Sequence, residues 1–411
     1  MFTLAFTGDV MLGRLVNERL RDMQPEEVWG DVLPHLAQAD LRIVNLECAL
    51  TAHQQPWTRT EKMFHFRADP EAVHVLQAAH IDACTLANNH ILDYEEQGLR
   101  DTLRMLDASG IRHAGAGANA TEAVAPTILE VHGESPCRVA LLSYTDNEPD
   151  FSATAKHPGT NYLEVSLQHE TLARIANDIA QARAQGADLV VFSNHWGANF
   201  VERPSAEFRS FARRVIELGA DIYHGHSAHI CQGIEIYRGK PILYDTGNFI
   251  DDYAIHPKLR NDRSCLFKLM FEQGKLCGIE LLPVSLSVAH VALARGKEFD
   301  AISTRMEMLC AEFGTRLMRS DDRLVWQLWV QPIDATLGRS VELTGLSGLW
   351  WFAEKTVGAA CWNVRFQLFQ TVTPDPKRSL LFSQKYCEAA PLVRSTNLKP
   401  SRIASSHRGP L

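Results

Sequence analysis

Residues 220–250 carry the densest chemistry in the chain. An apolar run ending at Tyr223 reads as a buried strand, followed by His224, Gly225, His226, Ser227, Ala228 and His229 as a loop. A loop at a strand end aims several ring nitrogens at one point, and neutral imidazole is the commonest protein metal ligand. Gly225 is expected to let the backbone turn where a side chain would crowd the ion. A single loop histidine is most often solvated or bonded to a carbonyl. Three at this spacing favour a metal, provided that carboxylates arrive from elsewhere.

The carboxylates stand at other strand ends. Thr3 to Thr7 is a short β-type run closed by Gly8-Asp9, and a helical pattern begins at Leu15. Leu41–Val44 runs into Asn45-Leu46-Glu47, Ile81–Leu86 into Ala87-Asn88-Asn89-His90, and Ala187–Phe192 into Ser193-Asn194-His195. Helical stretches precede these strands at 32–38, 70–79 and 172–185, which predicts βαβ units and largely parallel pairing. Five strands then deliver Asp9, Glu47, Asn89 with His90, His195, and His226 with His229 to one edge, where open α/β sheets place their chemistry. Two carboxylates, an amide and three imidazoles make a mixed oxygen and nitrogen set. Such a set suits Mn²⁺, Fe or Zn²⁺ better than Ca²⁺. His90, beside the ligand amide, is placed to protonate a leaving group.

Beyond the histidine loop the pattern changes. Short β runs at 231–237, 241–244, 265–272 and 276–284 with Arg238-Gly239 and Gln273-Gly274 at the turns predict hairpins and a second, antiparallel-rich sheet. Phe299–Phe313 reads as an amphipathic helix packed on the core. From about residue 336 to 411 no polar residue tracks a strand end, so a catalytic domain over 1–335 and a partly disordered tail are expected. Trp350, Trp351 and Trp362 fall in that tail, and Glu354 and Lys355 interrupt it as a membrane span.

Composition sets the bounds. At 411 residues, 45% hydrophobic and 22% charged, the chain has the makeup of a soluble globular protein. A formal net charge of -8 argues against a general nucleic-acid binder. Nine cysteines form no CxxC pair and most lie in apolar runs, which suggests reduced thiols. The opening Met1–Asp9 has no basic segment of the secretory kind, so a cytoplasmic location is expected.

Taken together, Gly-Asp-Val-Met-Leu-Gly-Arg at 8–14, Asn-Leu-Glu at 45–47 and Ala-Asn-Asn-His-Ile-Leu-Asp-Tyr at 87–94 resemble the bacterial CapA family. So do Gly-Ala-Gly-Ala-Asn at 115–119, His-Trp-Gly at 195–197, Gly-His-Ser-Ala-His at 225–229 and Gly-Asn-Phe at 247–249. That family is named for capsule and poly-γ-glutamate synthesis and is similar to the calcineurin-like metallophosphoesterases. The resemblance implies an α/β fold of two packed mixed β-sheets flanked by helices, a four-layer α/β/β/α sandwich. It also implies that Asp9 is the first-strand ligand, that Glu47 stands where the superfamily has a bridging aspartate, and that Asn89-His90, His195, His226 and His229 complete the site. The superfamily's first motif, Asp-x-His, is Asp9-Val10-Met11 here, and the last motif is one residue longer than Gly-His-x-His. One or two ions both remain open, and His224 is a further candidate ligand.

Arg14, Lys62, Arg67, Arg203, Asp252 and Tyr253 are candidates for the pocket rim, where basic groups would suit a phosphate or a polycarboxylate. Two functions follow from the resemblance. One is hydrolysis of a small phosphoester; the other is a non-hydrolytic accessory role that holds an anionic polymer of the poly-γ-glutamate kind in the same cleft.

Overall fold

Strand β1 (Phe2–Val10) sets the frame because both its faces are apolar. Phe2, Leu4 and Phe6 enter one core and Ala5 another, the two-residue alternation of a strand covered on both sides, and a register irregularity past Phe6 brings Val10 to the core of Ala5. The computed structural model describes residues 1–133 and 136–327. They belong to a unit spanning Met1–Gln331, and the expected tail with its three tryptophans lies outside the described residues. Among the described residues, no helix is long and apolar enough to cross a membrane.

The larger sheet also holds β2 (Leu41–Leu46), β3 (Ala83–Thr85) and β4 (Arg112–Ala114), parallel to β1 in that order. The smaller sheet contains β5 (Thr127–Val131), β6 (Cys137–Thr145), β7 (Leu189–His195), β8 (Ile222–His226), β9 (Ile234–Tyr237) and β10 (Lys240–Leu243), ordered β9-β10-β8-β7-β6-β5. The chain then returns to the larger sheet. There β11 (Asn248–Ile250) pairs with β1 in parallel, while β12 (Arg263–Glu272) and β13 (Lys275–Ser287) run antiparallel.

Three apolar clusters hold these elements. One draws Phe2, Leu4, Phe6 and Phe267 from the larger sheet together with Val139, Leu141, Val191 and Ile222 from the smaller, so the sheets share a core. A second sets Val44 and Cys84 against Leu99 and Leu106 of α1 (Glu95–Ala108). The third sets Leu142, Val190 and Phe192 against Ile175 and Ile179 of α2 (His169–Ala184) and Phe211 and Val215 of α3 (Ala206–Glu217).

Three expectations need correction. The five site-bearing strands do not share one sheet: β1, β2 and β3 belong to the larger, β7 and β8 to the smaller. The two hairpins do not form a separate antiparallel sheet either. The Arg238-Gly239 hairpin extends the smaller sheet and the Gln273-Gly274 hairpin the larger, because β10 finds a parallel partner in β8 and β12 an antiparallel one in β1.

The third correction concerns Gly225. It lies inside β8 rather than in a loop, so His224 and His226 share one face of the strand. Its lack of a side chain serves packing, since a Cβ there would sit 2.1 Å from the Tyr244 carbonyl oxygen and 2.8 Å from Trp196 Nε1. Those two atoms bond each other at 3.0 Å. Gly225→Ala must displace backbone, and we expect a loss of about 3 kcal/mol in a urea titration. An unchanged midpoint would show that this contact is not tight.

Candidate metal centre

Asp9 is the next-to-last residue of β1, between β2 and β11, and its amide donates to the Gly247 carbonyl at 2.8 Å. Its neighbour Gly8 is required there, because a Cβ would stand 1.7 Å from that same carbonyl oxygen. Asn45 Nδ2, from β2, donates to Asp9 Oδ1 at 2.8 Å. The register of β7 with β8 pairs His195 with His226 and brings their Nδ1 atoms to 2.9 Å. Each of these nitrogens lies 3.8 Å from Asp9 Oδ1. After β8 the backbone takes positive φ at Ser227 (109°) and His229 (60°), which returns the third imidazole to the site. His229 Nδ1 lies 3.4 Å from Asp9 Oδ2 and 2.8 Å from Asn248 Oδ1.

Glu47, just past β2, places Oε1 3.6 Å from His195 Nε2, and Tyr253 Oη donates to its Oε2 at 3.3 Å. Two groups of donors result, Asp9 with His195 and His226, and Asp9 with Glu47 and His229. Within each, one ligand atom per residue lies inside 4.8 Å of the others. The carboxylate common to both is Asp9. Two donors on one ion at about 2.1 Å stand roughly 3.0–3.4 Å apart in octahedral or tetrahedral geometry, so this spacing fits a metal with little movement. Asp9 Oδ2 and Glu47 Oε1 are buried without a hydrogen-bond partner, as is Asn89 Oδ1. Buried acceptors left open are costly, and a cation would satisfy them.

The charges are consistent with that need. Burial works to raise Asp9, but His229, His195 and Asn45 outweigh it and hold the carboxyl below its usual range. Burial, reinforced by the Asp9 charge, pushes Glu47 well up. At His229 burial is overcome by Glu47 and Asp9, and its pKa rises to about 10. His195 is depressed by burial to about 3, and His226 is likewise held well down. A proton on His229 thus balances the carboxylates that a divalent cation would balance.

The turn after β3 separates its two asparagines by role. Asn88 Nδ2 donates to the Leu46 carbonyl at 2.8 Å and its Oδ1 accepts from the His90 amide at 3.0 Å, so that side chain is consumed by the loop. Asn89 keeps its Oδ1 free. His90 stacks on Phe66 at 3.9 Å, sets Nδ1 2.5 Å from Asp93 Oδ2, and places Nε2 4.0 Å from Glu47 Oε1. Burial lifts Asp93 to about 8 and holds His90 well below its ordinary value.

The remaining candidates are placed differently. His224 takes no part in either donor group. It is fully buried, with Nδ1 3.0 Å from Ser193 Oγ and Nε2 3.2 Å from the Thr7 carbonyl, and it joins the two sheets. Lys62 lies beneath the rim, donating to the Asn89 carbonyl at 2.6 Å beside Glu148 (3.0 Å) and Asp93 (3.4 Å). Arg14 pairs through two bonds with Asp252, at 3.1 and 2.5 Å. Arg67 bonds Asp69 at 3.0 Å and, with Arg14, lines a neighbouring cleft of about 480 Å³. Arg203 is held at 2.8 Å by Glu312, with Glu202 also bonded to it, and contacts no member of the donor groups.

Asn45, Asn88, Asp93, Asn248 and Ser193 join the site beyond the residues expected from the sequence. Each sits within one to three positions of a foreseen one or pairs with it across strands, and that adjacency was the available signal.

The family model described as "Bacterial capsule synthesis protein PGA_cap" matches residues 3–253, a span that contains every donor above. A "probable polyglutamine synthesis accessory protein" of Mycobacterium tuberculosis is 31% identical over 329 residues, covering 78% of this chain and 86% of the relative. The "PGA biosynthesis protein CapA" of Bacillus subtilis is 30% identical over 294 residues, 71% of this chain and 73% of its own. The "Capsule biosynthesis protein CapA" of Bacillus anthracis is 30% identical over 252 residues, 61% and 60% of the two chains.

Proposed function

The chain belongs to the PGA_cap family of bacterial capsule synthesis proteins, the CapA family, and on that premise we propose that it is a metal-dependent phosphoester hydrolase. The observation that carries this reading is the set of buried, unpartnered oxygens on Asp9, Glu47 and Asn89 among imidazoles at ligand spacing. The two sheets sharing a core, with helices packed on β-strands in the other two clusters, support a four-layer metallophosphoesterase-like architecture. We assign the chemistry to residues 1–335, with 336–411 as a tail outside it. The seven described cysteines are free thiols, six of them buried, which supports a reducing compartment.

Asp9, Glu47, Asn89, His195, His226 and His229 would hold one or two Mn, Fe or Zn ions. Such an ion supplies Lewis-acid polarisation of a phosphoryl oxygen. The chain's own residues do the rest. Tyr253 and Asn248 fix the orientation of Glu47 and His229, as the partners of ligands commonly do. At neutral pH Asp93, raised to about 8, donates its proton to His90 Nδ1, which leaves the ring's own proton on Nε2. That proton passes to the departing alkoxide while the Asp93 proton moves onto Nδ1, so the imidazole ends neutral.

Binding must displace the His229 proton. Because His229 titrates near 10 without metal, affinity should rise about tenfold per pH unit between pH 6 and 9 and weaken as the pH falls. Calorimetric titration with Mn²⁺ at pH 6, 7 and 8 checks this; a flat profile would mean His229 is not a ligand. A second reading, accessory binding of an anionic polymer without hydrolysis, draws on Met11. It fills the place of a ligand histidine, is fully buried, and accepts a bond from Gly13 N at 3.0 Å. Release of phosphate from 4-nitrophenyl phosphate by the Mn²⁺-loaded chain separates the two. Metal bound at stoichiometry without turnover would favour the accessory role.

A further inference from the structure

Aromatic rings stand beside the donor groups, and the expected cations there are already engaged. Phe66 stacks on His90 at 3.9 Å, and Tyr253 and Phe200 lie 5.0 and 6.0 Å from His229. The Arg14 guanidinium sits over Phe66, Tyr253 and Phe64 at 5.0, 5.6 and 6.0 Å. Among the described residues nine large apolar side chains are strongly exposed, and five fall on these same segments. They are Leu15 at 49%, Met63 at 85%, Phe64 at 54%, Val201 at 41% and Ile255 at 57%. Apolar exposure concentrated beside a polar site marks a binding surface. The basic candidates, by contrast, are neutralised: Arg14 by Asp252, Lys62 by Glu148, Arg67 by Asp69, and Arg203 by Glu312. A polyanion would have to break those pairs to gain a contact.

We propose that the site takes a phosphoester whose alcohol carries a hydrocarbon chain, with the phosphoryl group at the donor groups and the chain against Phe64, Ile255 and their neighbours. This rests on the phosphoester reading above and names the substrate class for it. A substrate of this kind suits both features of the rim, since the chain covers the exposed apolar side chains and asks nothing of the paired cations.

The test compares ethyl phosphate with dodecyl phosphate, kept below its micelle concentration, by calorimetric titration into the full Mn²⁺-loaded chain. Turnover of 4-nitrophenyl phosphate is followed in parallel. A buried methylene is worth about a factor of four in affinity, so ten further methylenes, even partly covered, should favour dodecyl phosphate by at least about 100-fold. The double variant Phe64→Ser with Ile255→Ser should reduce that ratio by about tenfold. Both positions are exposed, which protects the fold. Met63→Ser offers a second variant if the pair fails to fold. A ratio below about threefold, or one untouched by the variants, overturns the proposal even if 4-nitrophenyl phosphate is hydrolysed. A large, variant-sensitive ratio without hydrolysis upholds the chain-binding surface and removes the hydrolase reading. Failure of either phosphate to bind removes both.

Discussion

Asp9→Ala is expected to abolish stoichiometric binding of divalent metal and to lower phosphoester turnover to background. Asp9 alone belongs to both donor groups, so its loss dismantles each of them at once. The remaining imidazoles would face Glu47, whose charge burial opposes, and the group of Asp9, His195 and His226 would be left with no carboxylate. Among the donors this should therefore be the most damaging single change. It should also lower the pKa of His229, because Asp9 is one of the two carboxylates that raise it. Nuclear magnetic resonance titration of the metal-free protein reads that shift, and elemental analysis of the purified variant reads the metal. An Asp9→Ala chain that keeps its full complement of metal would place the ion elsewhere.

The second large effect separates ligands from the proton donor. His195→Ala should remove metal and activity together, since Nε2 and Nδ1 of that ring face Glu47 and Asp9 respectively. His90→Ala should keep the metal and lower kcat by about 10²–10⁴-fold, the usual worth of a positioned acid. Asp93→Asn should follow His90→Ala in direction with a smaller loss, because the amide can still hold the imidazole through Nδ1 but cannot pass it a proton. Equal metal loss in the His195 and His90 variants would show that the roles are misassigned.

Much of this site was legible in the sequence for a simple reason. Apolar runs of strand length stop where the chain meets polar chemistry, so Asp9, Glu47 and His195 announced themselves as strand ends. The partners were less legible. His224 and His226 differ by one strand period and share a face, yet one bonds the Thr7 carbonyl in the core and the other meets Asp9. Depth along the strand decides that difference, since the facing sheet offers the Thr7 carbonyl to one and Asp9 to the other, and that juxtaposition is not local information. The same holds for the rim: Arg14 meets its carboxylate 238 positions away, so counting charges along the chain gave a basic rim where the fold has paired ones. Strand β6, with its Val139–Leu142 run, carries none of the donor residues, so strand ends marked by ligands do not point to it.

The most direct measurement is anomalous diffraction at the manganese edge from crystals of the full chain grown with Mn²⁺. The account predicts a peak within about 2–2.5 Å of a carboxylate oxygen of Asp9 and of ring nitrogens from His195 with His226, from His229 with Glu47 alongside, or from both sets. Its occupancy should fall when the crystals are moved to lower pH, as His229 regains its proton. A manganese peak elsewhere on the chain, with these five residues uncoordinated at neutral pH, would contradict that assignment.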